Sequence, residues 1–481
     1  MINFRIIARV FSQVLIGEGL FMLLSAALSW YLGEGAARAL LYSALITIVT
    51  GILIVTPLRN EEKVYGTREG YIINIGIWLI FSLFATLPYL FSHSVDNFSD
   101  ALFESISGFT TTGATILSDI ESIPKGVLFW RSLTQWLGGV AVIMLSLYVL
   151  PVIKSLNIQL STTEFSGQLE NKIHPKVIEA AKRLITIYIL LTLIETILLL
   201  IGKMPLFDAI CHSFSTLSTG GFSTRNSGMA FSTPFLKAVL TLFMFAAGTN
   251  PALFYYAVKG NFKKIRGNTE FGIYILLVLG FSIVVSSVLY LRSGSQPGRA
   301  IQDGFFHTVS ILTTTGFYTE DYSLWGSFLI LIIFILMFTG GMAGSASSGI
   351  KIIRLIIITK NNRMESRRLV HPYAYLPVRI DKKKVPPNIV HNLLIFIILY
   401  FILVCAGTLI VSFMNFDIIT SFSTTASMLA NIGPGIGRFG PFSNYSDLPS
   451  AGKMFLCGLM IIGRLELLTV IILFSRSFYK R

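Results

Sequence analysis

The sequence predicts an all-α polytopic membrane protein in which ten transmembrane helices and four re-entrant pore helices surround a central pore. Three observations support this fold class. The 481 residues are 53% hydrophobic and only 13% charged, which is too apolar for a soluble protein of this size. Ten stretches approach the length of about 20 residues that crosses a bilayer. A helix, pore helix, helix unit then recurs four times, which indicates pseudo-fourfold symmetry.

The apolar stretches define the predicted spans. The eighth stretch is too long for one simple helix and contains several glycines, so we expect it to be broken. The ten spans are residues 6–31, 36–57, 70–91, 128–150, 178–201, 235–258, 271–291, 325–357, 389–413 and 454–475.

The basic residues indicate how the chain lies in the membrane. The net charge of +14 could suggest nucleic acid, because basic proteins gain affinity by neutralising phosphates. With the N-terminus placed inside, however, most of the 38 lysine and arginine residues fall in cytoplasmic segments, as the positive-inside rule requires. We therefore expect a lipid bilayer around the protein, cytoplasmic N- and C-termini, and no nucleic-acid partner.

A serine six residues before a glycine marks each repeat. The pairs are Ser107 with Gly113, Ser215 with Gly221, Ser310 with Gly316, and Ser427 with Gly433. The repeat divides the chain into two extra N-terminal spans in residues 1–69, followed by repeat 1 in 70–153, repeat 2 in 154–262, repeat 3 in 263–384 and repeat 4 in 385–481.

Four segments before these glycines are too apolar to be solvated and too short to cross the membrane. They are residues 100–109, 208–217, 303–312 and 418–429. We predict half-length helices that enter from outside, with an N-cap at the residue thirteen before each glycine. Their partially negative C-terminal ends would point to the membrane centre and attract cations. The predicted caps are Asp100, Asp208, Asp303 and Thr420.

The segments that end in the four glycines are candidates for a cation filter. Non-helical backbone at this depth is tolerated only where it is buried or lines a water-filled cavity. Four such segments can turn carbonyl oxygens inward to replace the hydration shell of a cation, and glycine reaches the positive φ that this needs. Four copies in register disfavour simple turn glycines. The predicted ion-binding residues are Thr111, Thr112, Gly113, Thr219, Gly220, Gly221, Thr314, Thr315, Gly316, Asn431, Ile432 and Gly433.

The motif Thr-Thr-Thr-Gly at 110–113 and 313–316, one filter glycine per repeat, and Gly463 followed by Arg464 make the chain resemble the Trk/Ktr/HKT superfamily of potassium transporters. The resemblance covers nearly the whole chain, and the two extra N-terminal spans are similar to the Trk branch. It implies potassium uptake through a channel-like pore in the bacterial inner membrane. It also implies a homodimer and a cytosolic regulatory subunit of the RCK type, similar to TrkA. A nucleotide is expected to bind to that partner subunit, and no cofactor is expected in this chain.

The filter positions refine what the resemblance implies. Some HKT relatives that pass sodium have serine at the first filter position, whereas all four positions are glycine here, which favours potassium. The fourth copy departs most, because Asn431 and Ile432 replace hydroxyl residues or glycine, and Pro434 follows. We therefore expect a pseudo-fourfold filter with one unequal quarter.

A run of glycine and serine interrupts the eighth span at residues 340–349, where these residues disfavour a stable helix. The resemblance implies an intramembrane loop that blocks the pore and moves for conduction. A phosphate loop is disfavoured because Ile350 stands where its lysine belongs, while close packing through small residues stays open. The predicted gate residues are Gly340, Gly341, Gly344, Ser345, Gly349 and Arg464.

Three questions stay open at this point. Arg464 is either a charge barrier on the pore wall or a structural ion-pair partner of Glu18 or Glu195. The basic stretch 360–384 is either a membrane anchor or a contact for the regulatory subunit. His212 and His307 lie nine residues before their glycines, and Glu104 and Thr424 occupy the same position in the other two copies. We interpret these residues as either pore-helix packing or outer-mouth residues.

No catalytic constellation points to an enzyme. The alternative function is an ion-coupled secondary transporter of a small organic solute, with Glu18, Glu195 and Glu466 as coupling acids. Inverted repeats are typical of such transporters. The four copies here have like orientation, which favours the pore.

Overall fold

The computed structural model describes residues 2–58, 66–154, 175–293, 296–374, 376–381, 383–465 and 467–479. The described part is mainly α-helical. Its helices are α1 Phe4–Tyr31, α2 Ala36–Val55, α3 Thr67–Phe84, α4 Leu87–Phe91, α5 Phe98–Phe109, α6 Lys125–Lys154, α7 Pro175–Ile201, α8 Leu206–Leu217, α9 Pro234–Ala247, α10 Pro251–Val258, α11 Phe262–Arg266, α12 Thr269–Ser293, α13 Pro297–Leu312, α14 Ser327–Phe338, α15 Ile352–Val370, α16 Pro387–Ser412, α17 Ile418–Ala430, α18 Ser450–Leu465, α19 Leu467–Phe474 and α20 Arg476–Tyr479.

The remaining regular elements are short. Two strands, β1 Arg379–Ile380 and β2 Lys383–Lys384, pair antiparallel in the segment between α15 and α16. Single 3₁₀ turns occupy Thr56–Leu58, Tyr322–Leu324 and Gly437–Phe439.

Each repeat contains an outer helix, a pore helix, an extended segment and an inner helix, as predicted. The outer helices are α3, α7, α12 and α16, and the pore helices are α5, α8, α13 and α17. The inner helices are α6, α9 with α10, α14 with α15, and α18 with α19. One apolar core joins the N-terminal helices to repeats 1 and 4, and a second joins repeats 2 and 3.

The N-terminal hairpin of α1 and α2 is joined to repeat 1 by Glu34, which lies between the two helices. One carboxylate oxygen accepts the backbone N–H of Lys125 at 2.8 Å, and the other accepts that of Gly126 at 3.0 Å. These are N–H groups at the start of α6, where no preceding helical turn can satisfy them. Glu34 therefore caps the first inner helix from outside its own repeat.

Within the described residues, seven helices are long and apolar enough to cross a membrane, or eight if α9 and α10 count as one span. The prediction of one continuous span over 235–258 is wrong, because the chain bends by 101° between α9 and α10. Asn250 caps α10 by accepting the N–H of Ala252, and Pro251 follows at the first helical position. The predicted break in the eighth span is confirmed between α14 and α15.

The pore helices end where predicted but three begin earlier, so the predicted caps are wrong. Asp100, Asp208 and Thr420 lie within the first turns of α5, α8 and α17, and Asp303 lies deeper in α13. The aspartates form ion pairs instead: Asp100 with Lys453 at 2.7 Å, Asp303 with Lys237 at 2.8 Å and Asp208 with Arg225 at 3.1 Å.

Two of these ion pairs join neighbouring repeats. Lys453 belongs to the inner helix of repeat 4 and Asp100 to the pore helix of repeat 1, while Lys237 and Asp303 join repeats 2 and 3 in the same way. Asp100 and Asp303 therefore fasten neighbouring quarters together near the N-terminal ends of the pore helices.

Candidate functional site

The four filter segments share one backbone conformation. In each, the residue two before the glycine has a positive φ: 53° at Thr111, 55° at Thr219, 58° at Thr314 and 54° at Asn431. The glycines follow with φ of 81°, 76°, 78° and 101°. Asn tolerates the left-handed region better than most residues, so Asn431 preserves the backbone of the fourth quarter despite its different side chain.

The serine that marks each repeat holds this backbone in place. Its carbonyl oxygen accepts the N–H of the residue directly before the glycine in all four quarters. The bonds are Thr112 to Ser107 at 2.9 Å, Gly220 to Ser215 at 2.8 Å, Thr315 to Ser310 at 2.8 Å and Ile432 to Ser427 at 2.9 Å. In quarters three and four the serine hydroxyl also donates to a carbonyl beyond the glycine, at Phe317 and Pro434.

The four segments form a closed ring. A Cβ added at Gly113 would overlap the carbonyl oxygen of Gly220, and one at Gly221 would overlap that of Thr315. The same relation leads from Gly316 to Ile432, and from Gly433 back to Thr112. Each glycine therefore lies against the carbonyl that precedes the glycine of the next quarter, which leaves no room for a side chain.

The side chains behind the ring differ between quarters. Threonine hydroxyls pair within quarters one and three, Thr110 with Thr112 at 2.7 Å and Thr313 with Thr315 at 2.8 Å. In the fourth quarter, the amide of Asn431 donates to the Thr112 hydroxyl at 2.8 Å. The side-chain contacts therefore differ between quarters, and the unequal ion coordination expected of the fourth quarter stays a prediction.

Gln135 on α6 supports the second quarter. Its side-chain nitrogen donates to the carbonyl of Gly220 at 2.6 Å, and its oxygen accepts the N–H of Phe222 at 3.2 Å. Gln135 is fully buried in an apolar span. Sequence reasoning missed this residue, although a buried amide in a membrane helix is itself a signal that a polar partner is near.

In the first three repeats, the polar residue nine before the glycine contacts the chain just beyond the filter. Glu104 accepts the N–H of Ile116 at 3.1 Å and pairs with buried Arg131 at 2.5 Å. His212 contacts the Ser223 hydroxyl at 3.3 Å, and His307 accepts the N–H of Thr319 at 3.3 Å. These contacts pack the pore helices against the segments that follow the filter.

Residues 339–351 form a loop between α14 and α15, which we call the gate loop after its predicted role. The loop closes on itself, because Gly340 donates to the carbonyl of Ile350 at 2.9 Å and Ile350 donates to that of Phe338 at 3.2 Å. Gly344 and Gly349 have φ of 81° and 69°. The N–H of Ser348 donates to the Thr314 hydroxyl at 2.9 Å, so the loop lies directly against the third filter segment.

Arg464 contacts the gate loop. Its Nη1 atom donates to the carbonyl of Ala346 and to the Ser348 hydroxyl, both at 2.8 Å. Within the described residues it forms no ion pair with Glu18 or Glu195, and its hydrogen bonds go to the loop instead. Glu466 lies outside the described residues.

Lys351, at the end of the gate loop, is a second basic contact that sequence reasoning missed. Its Nζ atom donates to the carbonyl of Ser347, and lies 3.2 Å from the Ser347 hydroxyl and 3.5 Å from the carbonyl of Ser345. Two basic side chains thus hold the uncharged oxygens of the loop.

Repeat 2 and α12 anchor the other side of the gate loop. Asn250, at the bend between α9 and α10, donates to the carbonyl of Ala343 at 2.7 Å. A carboxylate oxygen of Glu270 accepts the N–H of Ala343 at 2.7 Å and that of Ile353 at 3.2 Å. The bend in the sixth span therefore brings Asn250 into contact with the gate loop. Sequence reasoning identified neither Asn250 nor Glu270 as a contact of this loop.

Comparisons with known proteins agree with this geometry. Residues 39–479 match the family model described as TrkH, cation transport protein. The chain belongs to the TrkH family. It is 32% identical to the Trk system potassium uptake protein TrkH of Salmonella typhimurium, over 99% of this chain and 100% of the relative. It is 33% identical to the TrkH protein of Halomonas elongata, with 100% of each chain covered.

The fold of the whole chain is similar to that of a solved TrkH structure. The crystal structure of the potassium transporter TrkH from Vibrio parahaemolyticus matches with a TM-score of 0.91 and 30% identity, covering 100% of both chains. The Trk system potassium uptake protein TrkG of Escherichia coli is 34% identical over 86% of each chain. The predicted superfamily and fold class are confirmed.

In this TrkH-family chain, the twelve predicted ion-binding residues lie together in the four ring segments, and the six predicted gate residues lie in or against the gate loop. Among the described residues, no group of three or more His, Cys, Asp or Glu side chains could hold a metal ion. The oxygens near the ring are those of carbonyls and hydroxyls, which suit a weakly hydrated monovalent cation.

Proposed function

We propose that this protein takes up potassium across the bacterial inner membrane through a central pathway lined by the four filter segments. The closed ring of glycines and carbonyls is the observation that supports this most directly. Four backbone segments in one conformation can present carbonyl oxygens to a single ion, in place of its water shell. Thr111, Thr112 and Gly113, with their counterparts in the other quarters, would bind the ion.

The transport of an organic solute is not favoured. The relatives that match across the full length of the chain are named as potassium uptake proteins. The ring glycines lie so close to neighbouring carbonyls that an added methyl group would overlap them. A ring packed this closely suits a dehydrated ion better than a molecule with carbon substituents.

The gate loop would control the pathway. It lies against the third filter segment through Ser348, and Arg464 fastens it from the fourth repeat. Arg464 would also place a positive charge where cations must pass. Movement of the loop away from Arg464 would therefore remove both a steric and an electrostatic obstacle.

The proposed assembly is a homodimer that binds a cytosolic, nucleotide-binding regulatory subunit of the RCK type, with both chain termini in the cytoplasm. The helix α15 supports the regulatory contact, because it continues directly from the gate loop into the basic stretch 360–384. A partner that moves the far end of α15 could pull on the loop. The same basic stretch also suits a membrane anchor, since both explanations need exposed positive charge.

Uptake of radioactive rubidium into proteoliposomes tests the function. We expect uptake that unlabelled potassium suppresses strongly, sodium weakly and amino acids not at all. Liposomes without protein provide the background, and a variant in which the gate is weakened, Arg464→Met, ensures that a closed gate does not hide the pathway. If folded wild-type and variant proteins both carry no rubidium, the proposal is wrong.

A further inference from the structure

The gate loop presents a run of oxygens to positive charge. The carbonyls of three successive residues, 345–347, all face a basic side chain. Lys351 contacts the carbonyls of Ser345 and Ser347 and the Ser347 hydroxyl, while Arg464 contacts the carbonyl of Ala346. Ser345 and Ser347 are almost completely buried. The loop therefore contains a cation site that the chain itself fills.

The two basic groups fit this site differently. An ammonium is a compact point charge with three donors, whereas a guanidinium is a planar fork. A compact monovalent charge amid carbonyl and hydroxyl oxygens is the arrangement that also binds a dehydrated potassium ion. The Lys351 ammonium is thus the better stand-in for a permeating cation, and Arg464 is a neighbouring tether.

The position of the site relative to the filter matters for transport. The residue after Ser347, Ser348, donates its N–H to the hydroxyl of the filter residue Thr314 at 2.9 Å. An ion that passes the third filter segment therefore meets the gate loop next. At that point the Lys351 ammonium and the ion would compete for the same oxygens.

We propose that the oxygens of Ser345 and Ser347 form a monovalent-cation site in the gate loop, occupied in this structure by the Lys351 ammonium and open to potassium when that ammonium withdraws. This inference rests on the proposed function, since it takes the permeating ion as the competitor. Because Lys351 directly precedes α15, movement of that helix would withdraw the ammonium. Ion binding and gate opening would then be coupled.

The variant Lys351→Gln removes the competing charge. We expect potassium to take its place, so the thermal midpoint of the purified variant should rise in potassium chloride relative to sodium chloride by more than the wild-type midpoint does. Rubidium influx into proteoliposomes should rise several-fold. Lys259→Gln is the matched control, because Lys259 is an exposed lysine outside the gate loop and the basic stretch, with its ammonium 4.8 Å from the centre of the Tyr255 ring. It should behave as wild type in both measurements.

Two results would overturn the inference. One is a Lys351→Gln protein whose salt dependence equals that of the wild type, which would mean that no ion enters the loop. The other is a variant unfolded in both salts, since potassium would then fail to replace the ammonium and Lys351 would be a structural tether only. A wild-type protein without rubidium uptake counts against the proposed function instead, and the stability comparison still decides the gate-loop site.

Discussion

The four segments of the filter ring share one backbone conformation, whereas the inner helices that follow them differ from one repeat to the next. All four ring segments have the same pattern of positive φ and the same serine-carbonyl bond. Among the inner helices, α6 runs on unbroken, α9 bends into α10, and α14 gives way to the gate loop. The ring repeats its backbone, whereas each inner helix is built differently.

One position shows this contrast at the level of single residues. Gly139 faces the Tyr188 hydroxyl of the next outer helix, and Gly248 faces the hydroxyl of Tyr274 in the same way. Gly463 lies against the carbonyl end of its own pore helix, as Gly138 does, so the following residue, Arg464, occupies the fourth-repeat equivalent of Gly139. Ion selection needs four equal contributions, whereas a gate needs one element that can move and one that holds it.

Replacing filter glycines should break the ring most severely. We expect Gly113→Ser and Gly433→Ser to weaken the discrimination of potassium from sodium by about tenfold or more, since a left-handed non-glycine residue costs roughly 1–2 kcal/mol before any overlap is counted. The measurement is the ratio of potassium to sodium needed to halve rubidium influx. Gly280→Ser is the control, because its Cβ would meet open space. An effect in one quarter alone would disprove the equality of the ring.

Among the residues described, the only fully buried ion pair beside the filter lies in quarter one, between Glu104 and Arg131. Glu104→Gln leaves Arg131 without its counter-charge, and breaking such a pair costs about 3–5 kcal/mol. The thermal midpoint in detergent should fall sharply. The exposed pair of Arg299 and Glu320 provides the control, because Glu320→Gln should cost at most about 1 kcal/mol. Equal losses for both variants would mean that Arg131 is satisfied by other groups.

The four ring segments, which share one backbone conformation, are also the part of the molecule that the sequence could predict. The serine to glycine spacing located all four ring segments because one backbone conformation needs the same residues at the same spacing each time. Asn250 and Glu270 escaped prediction because each acts in only one quarter and contacts a residue far away in the chain. Lys351 contacts Ser347, only four residues away, but it lies in the gate loop, where no repeated spacing reveals it. The early starts of α5 and α8 were missed because an aspartate in the first turn looks like a cap in sequence, and that of α13 because its helix begins six residues before Asp303.

Among the inner helices, Arg464→Met should raise rubidium influx by about tenfold or more, because it removes two hydrogen bonds made by a charged group. Each such bond is worth about 1.5–3 kcal/mol, and about 1.4 kcal/mol already corresponds to a factor of ten. Ser348→Ala removes only one of them and should give a smaller rise. Arg438→Met is the control for lost charge, since Arg438 is exposed and pairs with Asp447. A variant that yields no folded protein would show Arg464 to be a structural residue, and unchanged influx would show that other contacts hold the loop.

The pore helices also differ in how their N-terminal ends are capped, and this difference should have the smallest effect of those tested. Only α17, of the four, is capped by a side chain, Asp417, whose oxygen accepts the N–H of Thr420 at 3.0 Å. Asp417→Ala should lower the free energy of unfolding by about 1 kcal/mol, whereas Asp417→Asn, which retains a cap, should cost less. Thermal midpoints in detergent measure both.

The pH dependence separates the cap from simple packing. Hydrogen bonds from Thr420 lower the pKa of the Asp417 carboxyl below its ordinary value. A lowered pKa in the folded protein stabilises it fully above the pKa of the unfolded chain, about 3.9, and this stabilisation is lost as pH falls through the folded value. The difference between wild type and Asp417→Ala should therefore be constant near neutral pH and shrink below about pH 4. A difference that persists at low pH would mean that Asp417 acts through packing and not through its charge.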